Sequence, residues 1–526
     1  MTADTRPNAV DLSHHLSLLA RSRHPSPLKD LIRYMGVKGI ISFAGGLPAA
    51  DFFPMHSLSA SIYPANTVLD PEHPSPPSQS VEFTIPRRAA APAYDLERGL
   101  QYVGGRGLTD LEVPIRALTE KLWPPAYADW DVLLNNGSTD GWIKILTLLV
   151  ESGDHIICDS QIYPSAQAGF VPMGVKAFPI AGDGEGVSPE ALAKGLEEWD
   201  ESRGRRPRVM YTVPVGQNPL GTTMGPARRK SVYDVCVKYD VIIIEDDPYC
   251  MLQFPPYVVG QQPTPPAPKA DVDAFLSNMS NSFLTIDTQG RVIRMDTFSK
   301  TLFPGARLGW FTCNAMFAER LLRGTEVQTQ GPSGFSEVIT GELLNKWGVD
   351  GFIEWNTNLC EQYRVRRDWM LDALAAAFDL VPAEDAGVPG AIGLVAFPKL
   401  KANGRRGPAI ISFVPPVGGM FIWCKAHYDT HPAWAGFQPD RTDQERVRAF
   451  EEKFWIRLVD ALILVTPGWY FSPWEGGGHS LHEEGSGHFR LAFSYEPKAN
   501  VDEGIRRLAD MMTKEWTGAV DISAGL

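Results

Sequence analysis

Between about residues 132 and 312 the chain repeats one pattern, in which short, almost continuous apolar runs alternate with longer amphipathic stretches. The runs at 132–134, 156–158, 209–213, 241–244, 292–295 and 308–312 lack the polar alternation of a strand with one wet face. They read as strands covered on both faces, the condition of a parallel sheet packed between helices. Between two of them Val232, Val235, Cys236 and Tyr239 recur at the i, i+3, i+4, i+7 spacing of one helix face. The pattern predicts an α/β unit of βαβ repeats with a mostly parallel sheet. After about Trp369 the pattern changes to helix, loop and strands near 420–423 and 489–493, which predicts a second, smaller α+β domain.

The chain divides on this reading into an N-terminal arm and start of the small domain (1–100), a large domain (101–370) and a C-terminal small domain (371–526). Three stretches rich in Pro, Gly, Ser or Ala, at 64–92, 254–273 and 385–415, are expected to be inserted surface loops. The formal net charge of -13, from 49 Lys+Arg against 62 Asp+Glu, lacks the basic footprint that nucleic acid or an anionic membrane requires of a main partner. Six scattered cysteines form neither a disulfide framework nor a zinc motif and fit a reducing cytoplasm. Arg6, Arg21 and Arg23 resemble the start of a transit peptide, but Asp4 and Asp11 interrupt it, and no apolar stretch is long enough to span a bilayer.

Ligands of an open parallel sheet gather at the carboxyl ends of its strands, so the residues after each apolar run carry the most information. Four such positions are polar. Asn136-Gly137-Ser138-Thr139-Asp140-Gly141 opens an apolar helix, and the free N–H groups of such a turn cradle phosphate; taken alone, it is also an ordinary N-cap. Gly216-Gln217-Asn218-Pro219-Leu220-Gly221 taken alone is a turn, and Glu245-Asp246-Asp247-Pro248-Tyr249 suits a helix cap or a metal as well as a catalytic role. The fourth position decides: Asp296-Thr297-Phe298-Ser299-Lys300, followed by Arg307. A lysine at a buried strand end loses water and is the residue type that forms a Schiff base with an aldehyde cofactor. Ser299 and Arg307 can then bind a dianionic phosphate.

Six motifs in order, SFAGGLP (42–48), LQYVGGRG (100–107), YTVPVGQNPLG (211–221), IIEDDPY (243–249), DTFSK (296–300) and FRLAFS (489–494), make the chain similar to the class I and II aminotransferases. These are pyridoxal 5′-phosphate (PLP) enzymes of fold type I, and the sequence most resembles their aromatic, 2-aminoadipate and kynurenine branch, in particular its fungal members. The resemblance implies that Lys300 carries PLP covalently, that Asp246 pairs with the pyridine nitrogen, and that Tyr249 and Asn218 bond the 3-oxygen. It further implies that Tyr163 stacks on the ring, that Ser138, Thr139, Thr297, Ser299 and Arg307 hold the phosphate, and that Tyr102 reaches the same phosphate from a partner subunit of a homodimer. Arg490 would clamp the α-carboxylate of an amino acid or 2-oxo acid. Gly46, Leu47 and Lys29 are candidates for the side-chain pocket, Lys29 being equally a solvated residue.

The chain departs from the family pattern at Leu220, where Thr is usual, and at Thr139, where Gln is frequent; neither removes a group the chemistry needs. Two other functions fit the same scaffold in principle. One is a PLP-dependent lyase, which the sequence does not separate from an aminotransferase. The other is a non-catalytic regulator, which needs a basic DNA-binding module that the first hundred residues have no room for.

Overall fold

The computed structural model describes residues 4–25, 34, 37–41, 43, 46–68, 72, 79–90, 93–261, 271–399, 406–473 and 483–518. Lys29, Ser42, Ala44 and Gly45 lie outside the described residues. An antiparallel hairpin, β1 (Ser57–Ile62) with β2 (Val81–Pro86), precedes the main sheet. The following strands are β3 (Trp130–Asn135), β4 (His155–Asp159), β5 (Lys176–Ile180), the short ribbon β6 (Gly182–Asp183) and β7 (Gly186–Val187), β8 (Val209–Thr212), β9 (Ile242–Asp246), β10 (Val292–Thr297) and β11 (Gly309–Asn314). Seven of them form one sheet in the order β3-β11-β10-β9-β8-β4-β5.

The apolar runs give this sheet its interior, and every residue of β4, β8, β9, β10 and β11 is buried. All neighbours pair in parallel except at β11, which is antiparallel to both β10 and β3. The connection from β10 to β11 is short and holds only a single 3-10 turn, Pro304–Ala306, so no crossover helix can return the chain to start a parallel strand. The amphipathic spacing around Val232 is realised in the helix Pro226–Lys238, which buries Val232 and Cys236. The edge strand β5 is the one the apolar runs did not announce, because its Lys176 is exposed and Pro179 interrupts it.

A second sheet follows the long helical stretch Gly334–Ala377, which is kinked at Gly348. It contains β12 (Phe378–Pro382), β13 (Leu394–Pro398), β14 (Ile411–Phe413), β15 (Phe421–His427), β16 (Thr466–Pro467) and β17 (Ser486–Ala492), in the order β12-β13-β14-β15-β17-β16, antiparallel throughout. Helices Asp443–Asp460 and Lys498–Trp516 flank it, so the two parts have the α/β and α+β character read from the sequence. Gly216 and Gly419 bring the two parts into close contact: a Cβ on Gly216 would lie 2.4 Å from the Gly419 Cα, and both residues have positive φ.

The described part of the N-terminal hundred residues packs on the large part and adds no strand to the second sheet. Leu12 joins the main core and Ser17 N–H donates to Leu148 O. The division read at 370 falls inside the helix Gly334–Ala377. Two of the stretches expected to be loops contain core strands. Residues 64–92 include β2, whose Phe83 and Ile85 are buried, and 385–415 includes β13 and β14. Proline and glycine at the ends of these strands masked their short apolar alternation. Ile85→Ala should therefore lower the opening free energy of the β1–β2 amides, read by hydrogen exchange, by about 2–5 kcal/mol. A change below ~0.5 kcal/mol would return the segment to the surface-loop class.

Candidate active site

Asn135, Asp159, Thr212, Asp246 and Thr297 end five parallel strands on one edge of the large sheet. The turns that follow them carry the polar motifs. Because β11 is reversed, its first residue, Gly309, pairs with Asn135, the last of β3, and this register delivers Arg307 to the turn after β3. The Arg307 Nη2 donates to Asn136 O at 3.2 Å, and its Nη1 donates to Ser299 Oγ at 3.2 Å and Pro304 O at 2.9 Å. Gly137 at φ 88° makes room for the guanidinium, since a Cβ there would stand 2.6 Å from Arg307 Nη2.

Ser138 and Thr139 open the helix Ser138–Leu149, and the Ser138 Oγ is buried without a hydrogen-bond partner. Thr297 Oγ1 and Ser299 Oγ lie 2.8 Å apart, and Ser299 N–H donates to Thr297 Oγ1. One helix N-terminus, hydroxyl groups and an arginine without a carboxylate partner among the described residues thus face one place. Together they are a receptor for a dianion.

Asp246 is buried at the end of β9. Its Oδ2 accepts a hydrogen bond from Tyr211 Oη at 2.8 Å, while its Oδ1 is buried and unpartnered. Burial raises the Asp246 pKa to about 6 against the lowering effects of Tyr211 and Ser138, although the Ser138 hydroxyl is not placed for a well-formed bond. Tyr249 is buried beside it with its ring edge-on to Phe421, and burial and Asp246 push its phenol up. Lys300 sits three residues past β10, and burial, Arg490 and Arg307 all push its ammonium pKa down. A lysine so placed gives up its proton more readily than a solvated one.

Arg490 comes from β17 of the second sheet. It crosses to the large sheet, where Nη1 donates to Asn218 Oδ1 at 2.5 Å, and Nη2 donates to Thr466 Oγ1 at 3.2 Å. Its guanidinium carbon lies 4.0 Å from the Phe421 ring centre and 5.0 Å from that of Phe471. Burial lowers its pKa to about 10, and no carboxylate pairs with it among the described residues. The Nε is buried without a partner. Tyr163 caps the helix Pro164–Phe170, with its phenol close enough to affect Arg490, Tyr249 and Tyr211 electrostatically.

Lys300, Asp246, Tyr249, Asn218, Tyr163, Ser138, Thr139, Thr297, Ser299 and Arg307 therefore all stand at the strand ends of the large sheet or in the segments that follow them, and Arg490 reaches Asn218 from the second sheet. Tyr102 and Leu47 do not close this cleft in the single chain. They are 62% and 46% exposed, and no hydrogen bond or ion pair joins them or Gly46 to Lys300, Asp246 or Arg490 among the described residues. Gln101 Nε2 donates to Pro48 O at 2.8 Å, so the two segments lie together. Three contacts escaped the sequence. Tyr211 was read as a buried strand residue and the start of a motif but given no role, the two-residue β16 that supplies Thr466 has no periodic signal, Phe421 was read only as part of a strand, and Phe471 was not singled out.

The match to the family model "Aminotransferase class I and II" spans residues 87–508 and takes in every one of these strand ends. The chain belongs to the class I and II aminotransferases. It is 40% identical over 360 residues to an aromatic amino acid aminotransferase of Schizosaccharomyces pombe, a stretch covering 68% of this chain and 76% of that one. It is 31% identical over 476 residues to an L-tyrosine:2-oxoglutarate aminotransferase of Serpula lacrymans, covering 88% and 84% of the two chains. Its structure superposes on that of aminotransferase Aro8 from Candida albicans with a TM-score of 0.83 at 30% identity, covering 97% and 100% of the two chains.

The aminotransferase's cofactor is PLP, and the cleft fits it. The unpartnered Asp246 Oδ1 is an acceptor for a ring N–H, and the unpartnered Ser138 Oγ with Arg307 and Ser299 suits a phosphate.

Proposed function

We propose that this aminotransferase moves the amino group of an aromatic amino acid to 2-oxoglutarate, with 2-aminoadipate and kynurenine as related donors. The names of the relatives support the substrate class. The observation that carries the site assignment is the convergence of Lys300, the free Asp246 Oδ1 and the carboxylate-free Arg490 on one cleft.

When bound, PLP supplies an electron-poor ring that takes up the electrons of the broken Cα–H bond and carries the amino group between the two half-reactions. Ser138, Thr139, Thr297, Ser299 and Arg307 hold its phosphate, and Tyr163 covers its ring. Asp246 Oδ1 accepts the ring N–H and keeps the ring cationic. Tyr249 and Asn218 bond the 3-oxygen. Lys300 would anchor the group, and its freed amine would take the proton from the substrate Cα and later give a proton back, as base and then acid. Its lowered pKa suits it to act as base and acid in turn. Arg490 receives the α-carboxylate of either substrate in its planar fork, with Asn218 and Thr466 fixing the orientation. Phe421 and Phe471 keep water from the guanidinium faces.

Gly46 and Leu47 supply part of the side-chain pocket, and Tyr102 binds the phosphate of the neighbouring subunit in a two-fold homodimer. The exposure of Tyr102 and Leu47 supports that arrangement. The enzyme works in the cytoplasm on this reading. Its six cysteines are free and buried, and no helix among the described residues is long and apolar enough to cross a membrane.

Phenylalanine, tyrosine, tryptophan, kynurenine and 2-aminoadipate, each mixed with 2-oxoglutarate, should yield glutamate, whereas aspartate should be a poor donor. Release of ammonia or of a side-chain fragment without glutamate would favour a lyase. Arg490→Lys keeps the charge and loses the fork. It should cost about 1.5–3 kcal/mol, roughly ten- to more than a hundredfold in kcat/KM for both substrates, with the cofactor spectrum unchanged. An effect within about twofold, or loss of PLP, would remove Arg490 from the carboxylate role. In sedimentation at assay concentration the active enzyme should run as a dimer, and a fully active monomer would contradict the shared site.

A further inference from the structure

Asp246 faces two requirements that oppose each other. It must be buried to meet the cofactor ring, and it must stay charged to hold a ring proton, yet burial favours its neutral form. The negative charge of Asp296 adds to the problem. That charge is taken up by Arg294, whose Nε and Nη2 donate to the Asp296 oxygens at 2.9 and 2.8 Å and whose Nη1 donates to Asp247 at 3.0 Å. Among the described residues, the well-formed side-chain hydrogen bond to Asp246 comes from Tyr211.

We propose that Tyr211 is the positioning residue of the ring-nitrogen site: its hydroxyl, 2.8 Å from Asp246 Oδ2, fixes the carboxylate so that Oδ1 alone is presented to the cofactor. This inference rests on the reading of Asp246 as the partner of the ring nitrogen. The phenol of Tyr211, a residue of β8 paired with Ile244 of β9, is a one-way donor here. It is fully enclosed, and burial and Asp246 together hold it protonated far above its ordinary range, so its O–H has only the carboxylate to serve. Occupying Oδ2 leaves one oxygen free, in one orientation.

The ring of Tyr211 is itself fixed. It packs on Trp142 with centroids 4.7 Å apart, and the Trp142 indole N–H donates to Ala166 O at 3.1 Å. Trp142 belongs to the helix whose first residues, Ser138 and Thr139, face the phosphate. Tyr211 thus ties the ring-nitrogen end of the cradle to its phosphate end. A tyrosine retained only for packing would need no hydroxyl at that point.

The test compares two cofactors on the full-length apoenzyme: PLP and its 1-deaza analogue, in which C–H replaces the ring nitrogen. Binding is followed by quenching of tryptophan fluorescence. Wild type should bind PLP about tenfold or more tightly than the analogue, in line with a charge-assisted hydrogen bond. Tyr211→Phe keeps the ring and loses the donor. It should weaken PLP by about tenfold and leave the analogue within about twofold. Equal weakening of both would make Tyr211 a packing residue and overturn the inference, as would no weakening of either. Equal binding of the two by wild type would instead mean that Asp246 does not meet the ring nitrogen, a failure of the underlying reading. Tyr211→His, which keeps a donor with shorter reach, provides the same comparison should the Phe variant not fold. It should lose less PLP affinity than analogue-independent packing damage would cause.

Discussion

β11 runs against its neighbours, and the site depends on that reversal. A seventh parallel strand would begin at the opposite edge of the sheet. The antiparallel return instead starts β11 beside the ends of β3 and β10, and so Arg307 meets Gly137 and Ser299. The cause is the brevity of the segment between Thr297 and Gly309, which carries Lys300 and holds no crossover helix. One short connection therefore places Lys300 and Arg307 together. The second sheet adds Arg490 across the contact of Gly216 with Gly419, a junction that any side chain would force apart.

The charges of the cleft are unbalanced toward cations. Lys300, Arg307 and Arg490 face it, and three of the acids beside Asp246 are engaged elsewhere: Glu245 pairs with Arg229 and Arg294, and Asp247 and Asp296 pair with Arg294. Each buried pair compensates its own charges, which would otherwise be costly to desolvate. What is left over is a set of cations whose complement is a phosphate and a carboxylate. Burial, and after it Arg490 and Arg307, lower the Lys300 pKa, so the two arginines act on the lysine in the same direction as its burial. On the proposed reading, a neutral donor such as Tyr211 suits Asp246. A cation there would compete for the oxygen that meets the ring.

Much of this architecture was legible in the sequence because buried parallel strands leave uninterrupted apolar runs, and the residues after them mark the ligand edge. Asp246 and Thr297 proved to be the last residues of their strands rather than the first of the loops, a shift that leaves them on the same edge. The hairpin strand Val81–Pro86 and the strand Leu394–Pro398 were hidden, since proline-rich flanks look the same whether the segment between them is packed or loose. Thr466, Tyr211 and Phe421 were hidden for another reason. Their roles come from contacts between elements far apart in sequence, and no local spacing records which buried phenol or phenyl ring faces a carboxylate or a guanidinium.

Lys300, three residues past the end of β10, is the residue proposed to anchor the cofactor. The chain offers a competitor. Lys144, on the helix Ser138–Leu149, is also buried, and burial lowers its pKa too, but Asp140 holds its Nζ at 2.6 Å. Borohydride reduction of the PLP-loaded enzyme, followed by peptide mapping, separates the two. The account predicts a phosphopyridoxyl group on Lys300 alone, and its appearance on Lys144 or any other lysine would contradict it.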